Sequence, residues 1–404
     1  MKNRLKKVIG LILITSVIGS TMVGCQNANK QNQNNENSIN IWANVSKEDF
    51  AYFKEVTDKW TEESGVEVNY IASNTDGKEY MEAFERPDIV WGMPATDTEK
   101  VQVTNSIDKV PGDLFKDDEY ISKDLTDATA INGEKYGIPI YQDTVALFYN
   151  KDKVNSVPNT MEELVEEAKK VGFTAEIDNK IVNYGFINSY GGYYYKNNDG
   201  VFDDQDIGSD NEGAIKGYEF LQKIITEDKL LIAGTTDMMA EHDFSVGQDA
   251  YYIGQSGRVR TFTSANVNFG VAKIPTLAGN EVKPLKLVSM AVVNSNSKKK
   301  DDAWKLLRYM QDNLSEYVMK TGPKAPVLKK SLETDTFKQT DYLKGLYEQS
   351  LEATLLPNTI TGSAYELAID NTISCLNLGQ YTPEECGAKI KKDLIEAREL
   401  LKVK

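Results

Sequence analysis

Asp143 is the acidic residue whose surroundings most clearly suggest chemistry. It lies between two runs of strand-forming residues, 137–141 and 144–149, with only Gln142 beside it. A carboxylate only accepts hydrogen bonds, and it can hold two hydroxyl donors at once. One interpretation is a turn that joins two strands of one sheet. The other is a chain that crosses from one domain to the next and aims the carboxylate into the cleft between them.

The histidine content and the charge of the chain exclude several kinds of site. The 404 residues include one histidine, His242, and the formal net charge is −15. Histidine-dependent catalytic triads and histidine-rich zinc sites are therefore nearly excluded, and we expect no metal site and no cofactor. The acidic surface argues against nucleic acid or an anionic membrane surface as a partner.

The N-terminus has the composition of an export signal. Basic residues precede an apolar run over 8–18 that is too short to suit a stable membrane span. Cys25, directly after Gly24, resembles the lipobox of bacterial lipoproteins, which implies cleavage before Cys25 and lipid attachment to its sulfur. Residues 1–24 would then be the signal peptide, and 25–37, rich in Asn and Gln, a lipid-anchored flexible tether. The alternative is an ordinary secretory signal with a chance cysteine.

Two further cysteines, Cys375 and Cys386, flank a turn at 379–382 almost symmetrically. The segments 363–378 and 383–401 on either side are both predicted helices, the second with a strong N-terminal cap. An antiparallel helix hairpin would bring the two sulfurs within reach of a disulfide, which an export signal permits. We predict this disulfide, and two buried free thiols are the alternative.

The elements that must position Asp143 alternate between strands and helices. Predicted strands at 38–43, 66–72 and 87–92 are separated by a capped helix from about residue 46 and a short helix at 80–84. This order favours a mostly parallel sheet covered by helices, in which ligands bind beyond the carboxyl ends of the strands. Further predicted strands include 184–187 and 285–293, and further predicted helices are 160–170, 210–229 and 300–317.

The order of these elements and several short motifs resemble the extracellular solute-binding proteins of ABC importers, most closely their maltodextrin-binding branch. The motifs are IWAN at 41–44, SGVEV at 64–68, PDIV at 87–90, NGEKYGIP at 132–139, LFYNKD at 147–152, NFGV at 268–271 and LPN at 356–358. Each motif is weak alone. Their order and spacing along nearly the whole mature chain are fairly specific for the fold and the transport role.

The resemblance implies an α/β, two-lobe fold of the periplasmic-binding-protein type II, each lobe a mostly parallel sheet flanked by helices. We assign 38–142 plus 291–330 to the N-terminal lobe and 143–290 plus 331–404 to the C-terminal lobe. Hinge crossovers are expected near 141–145, 285–290 and 327–332, so that the lobes can close on a ligand.

The same resemblance implies a binding protein rather than an enzyme. It would capture a sugar in the cleft between the lobes and deliver it to the membrane permease of an ABC importer. We expect a monomer at the extracellular face of the cell membrane, held there by the lipid on Cys25 (the periplasmic side in a Gram-negative cell).

Carried over onto this sequence, the resemblance places Asp143 where the family has a cleft carboxylate, usually Glu. The stacking aromatics of the family are replaced in the loop from Gln255 to Arg258 and at Glu366, beside Tyr365. Fewer aromatic faces and more charged groups argue against a plain α-glucan and favour a more polar, charged or smaller sugar. The expected ligand-binding residues are Asn44, Ser46, Lys47, Trp91, Asp97, Asp143, Asn188, Tyr190, Gln255, Arg258, Tyr365 and Glu366.

Three other functions stay open on the sequence. A ferric-ion-binding protein of the same superfamily would use paired tyrosines from 193–195 or 251–252. A polyamine- or peptide-binding protein would suit the negative surface together with Asp143 and Glu366. A secreted glycoside hydrolase would use two acids such as these, about 5–10 Å apart.

Overall fold

The computed structural model describes residues 37–43, 45, 47–73, 75–198 and 201–402. The predicted signal peptide and Cys25 lie outside these residues, as does all of the predicted tether except Asn37. The strands are β1 (Ser38–Ala43), β2 (Glu67–Ala72), β3 (Ile89–Pro94), β4 (Ala130–Ile131), β5 (Glu134–Lys135), β6 (Ile138–Asn150), β7 (Phe173–Ala175), β8 (Tyr195–Asn198), β9 (Val201–Ile207), β10 (Tyr251–Gln255), β11 (Phe269–Ala272), β12 (Leu285–Val293) and β13 (Thr354–Leu355).

Helices cover much of the remaining chain. They are α1 (Lys47–Ser64), α2 (Gly77–Glu82), α3 (Thr98–Gln102), α4 (Lys123–Asp127), α5 (Met161–Val171), α6 (Lys180–Ser189), α7 (Glu212–Thr226), α8 (Asp237–Ser245), α9 (Arg258–Ser264), α10 (Lys300–Thr321), α11 (Asp335–Gln339), α12 (Asp341–Glu352), α13 (Ala364–Ala368), α14 (Asp370–Asn377) and α15 (Pro383–Lys402). Short 3-10 helices span Ala95–Asp97, Asp117–Glu119, Lys329–Glu333 and Ile360–Ser363.

The main sheet has the strand order β2-β1-β3-β12-β6-β10-β7, with β11 paired to β6 and β13 paired to β12. β1 runs parallel to both β2 and β3, as the alternation of strands and helices predicts. β12 is antiparallel to β3 and to β6, and β10 is antiparallel to β6. The sheet is therefore mixed, and the predicted parallel pairing holds mainly among the first three strands.

β6 is one continuous strand that serves two hydrophobic cores. Ile138 and Ile140 in its first half pack in a core with β1, β3 and α10. Val145 and Leu147 in its second half pack in another core with β7, β10 and α7. Asp143 lies between these halves, at the point where β6 pairs with Leu287 of β12. Gln142 and Asp143 thus separate the part of β6 that packs in one core from the part that packs in the other. The chain has the two-lobe α/β fold.

Two helical segments differ from the sequence prediction. The predicted strand at 184–187 is wrong, because these residues lie inside α6, whose first turn is capped by Asn179. A short apolar run fits a buried strand or a buried helix equally well, so its periodicity could not decide. The predicted helix at 363–378 is divided into α13 and α14. The capped helix near residue 160 is confirmed, with a capping box between Thr160 and Glu163.

Candidate ligand-binding cleft

A cavity of about 360 Å³ lies beside β6. Its walls come from α1 and β3 of the first core, from the C-terminal end of α10 with the segment after it, and from the start of α9. A second cavity of about 870 Å³ shares four of its residues, so the two form one continuous cleft. The first cavity is lined by Val45, Phe53, Thr75, Trp91, Gly92, Tyr141, Gly257, Arg260, Tyr317, Val318, Thr321, Gly322, Pro323 and Lys324.

Asp143 is buried behind this lining, with 8% of its side chain exposed. Lys324, which does line the cavity, donates from Nζ to Oδ2 of Asp143. The other carboxylate oxygen, Oδ1, accepts a hydrogen bond from the backbone N–H of Ser256 at 3.4 Å. Both oxygens of the carboxylate are therefore engaged within the protein, and Lys324, rather than Asp143, faces the cavity.

The ammonium group of Lys324 is held in its charged form. Burial alone would lower the pKa of Lys324, but the Asp143 carboxylate outweighs this effect, so the pKa lies above the ordinary value of 10.5. The same ammonium stands over the ring of Tyr141, 5.7 Å from its centroid. A cation, its counter-ion and an aromatic ring thus form one unit at the edge of the cleft.

Gln142, the neighbour of Asp143 in β6, holds the segment that carries Lys324. Its backbone N–H donates to the carbonyl oxygen of Ala325 at 3.3 Å, and its Nε2 donates to that of Pro326 at 2.8 Å. These bonds fix the chain after α10 against the middle of β6. The position of the Lys324 ammonium is therefore set by tertiary contacts rather than by a helix or strand of its own.

Aromatic side chains form the apolar part of the cleft. Trp91 is 4% exposed and packs edge-on against Phe53, with ring centroids 5.8 Å apart, so it belongs mainly to the core. Tyr317 stacks flat on Tyr52, with centroids 3.9 Å apart, and Tyr141 is half-buried at the cavity wall. Rings of this kind can cover the apolar face of a small ligand.

Of the two arginines in α9, Arg260 lines the cavity and Arg258 does not. Arg258 forms ion pairs with Asp237 and Glu241 of α8, the latter at 2.5 Å. Burial lowers the pKa of Arg258, but Asp237 and Glu241 raise it by more, so the pKa lies above its ordinary value. Two positions along a helix correspond to about 200° of rotation, so neighbours at this spacing face opposite sides. The sequence shows both arginines, but only the tertiary orientation of α9 selects Arg260.

Asp97 lies outside the cavity lining and has structural partners. Its Oδ2 accepts from the backbone N–H of Gly77 at 2.8 Å, and its Oδ1 pairs with Lys100 at 2.9 Å. The carboxylate thus supports the start of α2. Asn188 and Tyr190 line a separate cavity of about 750 Å³ beside α6.

Tyr365 belongs to the second core, and its hydroxyl accepts from the backbone N–H of Tyr195 at 2.8 Å. Gln255 ends β10 opposite Val145 of β6, half-buried and outside the cavity lining. Asn44 and Ser46, and the side chains of Lys47 and Glu366, lie outside the described residues. Among the described residues that line the 360 Å³ cavity, Trp91 is the one member of the predicted ligand-binding set. Lys324, Arg260, Tyr141 and Tyr317 were missed, because no local pattern marks them.

Cys375 and Cys386 are free thiols in the structure, so the predicted disulfide is not formed. The Cys386 sulfur lies 4.0 Å from the carbonyl oxygen of Thr372, to which it can donate weakly. Burial, together with the neighbouring Cys375, raises the pKa of Cys386 to about 12. Two free thiols, the alternative to the disulfide, therefore describe the pair. Cys386 is buried as that alternative predicts, and Cys375 is only half-buried.

The described part of the chain also bears on metal ions, ferric-ion ligands and membrane spans. Its His, Cys, Asp and Glu side chains form no group of three or more that could hold a metal ion. The tyrosines at 194, 195, 251 and 252 are buried in the hydrophobic cores. No helix among the described residues combines the length and the apolar character that a membrane crossing needs.

A two-lobe α/β fold with a cleft beside the connecting strand defines the class of proteins that enclose a small ligand between lobes. Solved structures share this fold. One is the maltose-maltodextrin binding protein of Alicyclobacillus acidocaldarius, with a TM-score of 0.80 and 24% identity over 90% of this chain and 100% of that one. Another is a cyclo/maltodextrin-binding protein complexed with maltotetraose, with a TM-score of 0.81 and 21% identity over 89% and 97% of the two chains.

Residues 44–313 match the family model described as bacterial extracellular solute-binding protein, and the chain belongs to this family. A galactooligosaccharide-binding protein of Bacillus subtilis (strain 168) is 28% identical over 305 residues, 69% of this chain and 72% of that protein. A maltooligosaccharide ABC transporter solute-binding lipoprotein of Streptococcus pneumoniae (strain R6) is 30% identical over 163 residues, 37% and 38% of the two chains.

Proposed function

We infer that this protein is the substrate-binding component of an ABC importer and that it captures a carbohydrate in the cleft. The observation that carries this inference is the cavity beside β6, where aromatic rings and hydrogen-bond donors from three parts of the chain converge. The carbohydrate-binding names of the relatives support it. Closure of the lobes would bury the ligand, and the closed form would be recognised by a membrane permease.

Binding without catalysis fits the surroundings of Asp143. A glycoside hydrolase needs two carboxyl groups on either side of the bond that it breaks. The described residues that line the cleft include one carboxylate, Glu55 in the 870 Å³ cavity, which is paired with Lys59. Asp143 is paired with Lys324 behind the lining of the 360 Å³ cavity. A polyamine ligand would meet the cations Lys324 and Arg260 in the same cavity, which disfavours it.

The lipid anchor at Cys25 is part of the same proposal. A lipidated monomer would work at the extracellular face of the membrane, where a tether lets the binding lobes reach the permease. A lipoprotein name among the relatives supports this arrangement. Mass spectrometry of the mature protein tests it, since cleavage before Cys25 and added acyl chains would each change the mass.

The test of function is a thermal-shift screen over malto- and galactooligosaccharides, uronates, polyamines and ferric ion, followed by calorimetric titration of each hit. A saccharide at a hundred times its dissociation constant should stabilise the protein by about 2.7 kcal/mol. Incubation with the same saccharide should release no product. Stabilisation by ferric ion or spermidine, with none by any saccharide, would overturn the proposal. Cleavage of the saccharide would instead support the alternative of a glycoside hydrolase.

A further inference from the structure

The 870 Å³ part of the cleft is lined by tyrosines from three helices. Tyr52 lies on α1, Tyr317 on α10, and Tyr342 is the second residue of α12. We propose that these three rings form an aromatic subsite for a further sugar unit, beside the unit held in the 360 Å³ cavity. The cleft then selects a saccharide chain over a single sugar. This proposal rests on the proposed function, because it names the residues and the kind of carbohydrate that the same cleft takes.

Tyr52 and Tyr317 form one fixed aromatic surface. Their rings stack with centroids 3.9 Å apart and planes inclined by only 6°. Phe53 of the first core packs edge-on against Tyr317, with centroids 6.2 Å apart, and so ties the stack to that core. A ring that is already held in place loses little freedom when a ligand packs on it, which favours binding.

Tyr342 comes from the other side of the cleft. Its ring packs on Phe269 of β11, with centroids 6.3 Å apart, and on a small core that includes Phe148 of β6. β11 pairs with the second half of β6, whereas Tyr52 packs with the core of the first half. Tyr342 is half-buried, so part of its ring is exposed. A sugar unit in this cavity would thus meet rings from both lobes, and lobe closure would bring these rings together.

The sizes of the two cavities fit a chain of sugar units. Sites for small ligands usually have volumes of about 300–1,000 Å³. The cavities of about 360 Å³ and 870 Å³ each lie within that range, and Tyr317 and Thr321 are among the residues that line both. A single sugar in the smaller cavity would leave the larger one to water, whereas a chain of two or more units would occupy both.

The polar side chains of the larger cavity suit a neutral saccharide. Glu55 pairs with Lys59 at 2.9 Å, and Lys320 pairs with Glu316 at 3.0 Å. These two lining groups have opposite charges, and each already has a partner. The hydroxyl of Thr263, an exposed residue on α9, can donate to and accept from the hydroxyls of a sugar. The rings would then cover the apolar face of the same sugar unit.

The family resemblance places the stacking aromatics elsewhere, in the loop from Gln255 to Arg258 and at Glu366, where this chain has no aromatic residue. The tyrosines of α1, α10 and α12 supply an aromatic surface from other elements. The proposed subsite therefore depends on how these helices pack, and the family motifs do not mark it.

The experiment is a calorimetric titration with two series of saccharides, glucose to maltotetraose and galactose to β-1,4-galactotetraose. In the series that binds, we expect the trisaccharide to bind at least tenfold more tightly than the monosaccharide. Tyr342→Ala should weaken trisaccharide binding at least tenfold and monosaccharide binding less than twofold, because only the longer chain reaches this ring. Tyr342→Phe keeps the ring and should bind the trisaccharide within threefold of the unmodified protein. Tyr52→Ala, on the other side of the cleft, should also weaken the trisaccharide selectively.

Tyr193→Ala is the matched control, since Tyr193 is also half-buried and lines neither cavity. It should leave both affinities unchanged. The melting temperature of each variant is measured first, so that a loss of binding is separated from a loss of folding. Equal affinity for the monosaccharide and the trisaccharide, or equal losses for both in Tyr342→Ala, overturns the aromatic subsite but leaves carbohydrate capture in place. Failure of every saccharide to bind overturns both.

Discussion

Asp143 and Lys324, 181 positions apart in the sequence, form a buried ion pair beside the cleft. The pair joins the middle of β6 to the segment that follows α10. It has two consequences. The carboxylate is drawn back from the ligand space, and the ammonium takes its place at the cavity wall.

Removal of one partner of this pair should destabilise the protein strongly. Lys324→Met leaves the Asp143 carboxylate buried without its counter-ion, so we expect a loss of about 3 kcal/mol in the free energy of unfolding, measured in urea. The double variant Asp143→Leu/Lys324→Met should recover most of that loss, because neither charge remains buried. Equal stability of Lys324→Met and the unmodified protein would contradict the buried pair.

The stability should depend on pH through Asp249, which lines neither of the two cavities that form the cleft. Burial and the nearby Asp243 raise the pKa of Asp249 from 3.8 to about 6, although Lys153 opposes them. The folded state therefore binds more protons than the unfolded state between these values, and the free energy of unfolding should fall as pH rises from 4 to 6. Solvent screening of this partly exposed group limits the loss to about 1–2 kcal/mol.

Asp249→Asn is the variant that tests this dependence, because its amide does not titrate. Urea unfolding at pH 4, 5, 6 and 7 should show a flatter profile for the variant, with higher stability than the unmodified protein above pH 6. Parallel profiles for the two proteins would exclude Asp249 as the titrating group.

Tyr365→Phe separates a core role from a ligand-binding role. The Tyr365 hydroxyl accepts from the Tyr195 backbone N–H at 2.8 Å in a fully buried position. Loss of the acceptor leaves that N–H unsatisfied and should cost about 1–3 kcal/mol of unfolding free energy. Affinity for the saccharide identified in the screen should stay within twofold. A large loss of affinity at unchanged stability would return Tyr365 to the ligand site.

The two C-terminal thiols should be free in the purified protein. In a Cys25→Ser variant, a thiol reagent at pH 8 should label Cys386 only after denaturation, because the buried thiol has a pKa of about 12. Intact mass should be the same with and without reductant. A difference of two hydrogens would show that the disulfide forms.

Much of the fold could be predicted because it depends on local patterns. The capping box at Thr160 and Glu163 and the alternation of β1, α1 and β2 rest on residues a few positions apart. The place of Asp143 between two strand-forming runs was also visible, and the structure puts it between the two cores that β6 serves. The helix α6, read from its apolar run as a strand, shows where such patterns become ambiguous.

The sequence by itself therefore determined much of the order of elements and the polar position of Asp143 within β6, and it predicts an export signal at the N-terminus. Only the tertiary structure decided which charges face the cleft. Lys324 reaches Asp143 because Gln142 holds the chain at Ala325 and Pro326 against β6, and this contact joins distant segments. Arg260 rather than Arg258 lines the cavity because the packing of α9 sets its rotation. Neither relationship leaves a pattern in neighbouring residues, since both arise when separate elements pack together.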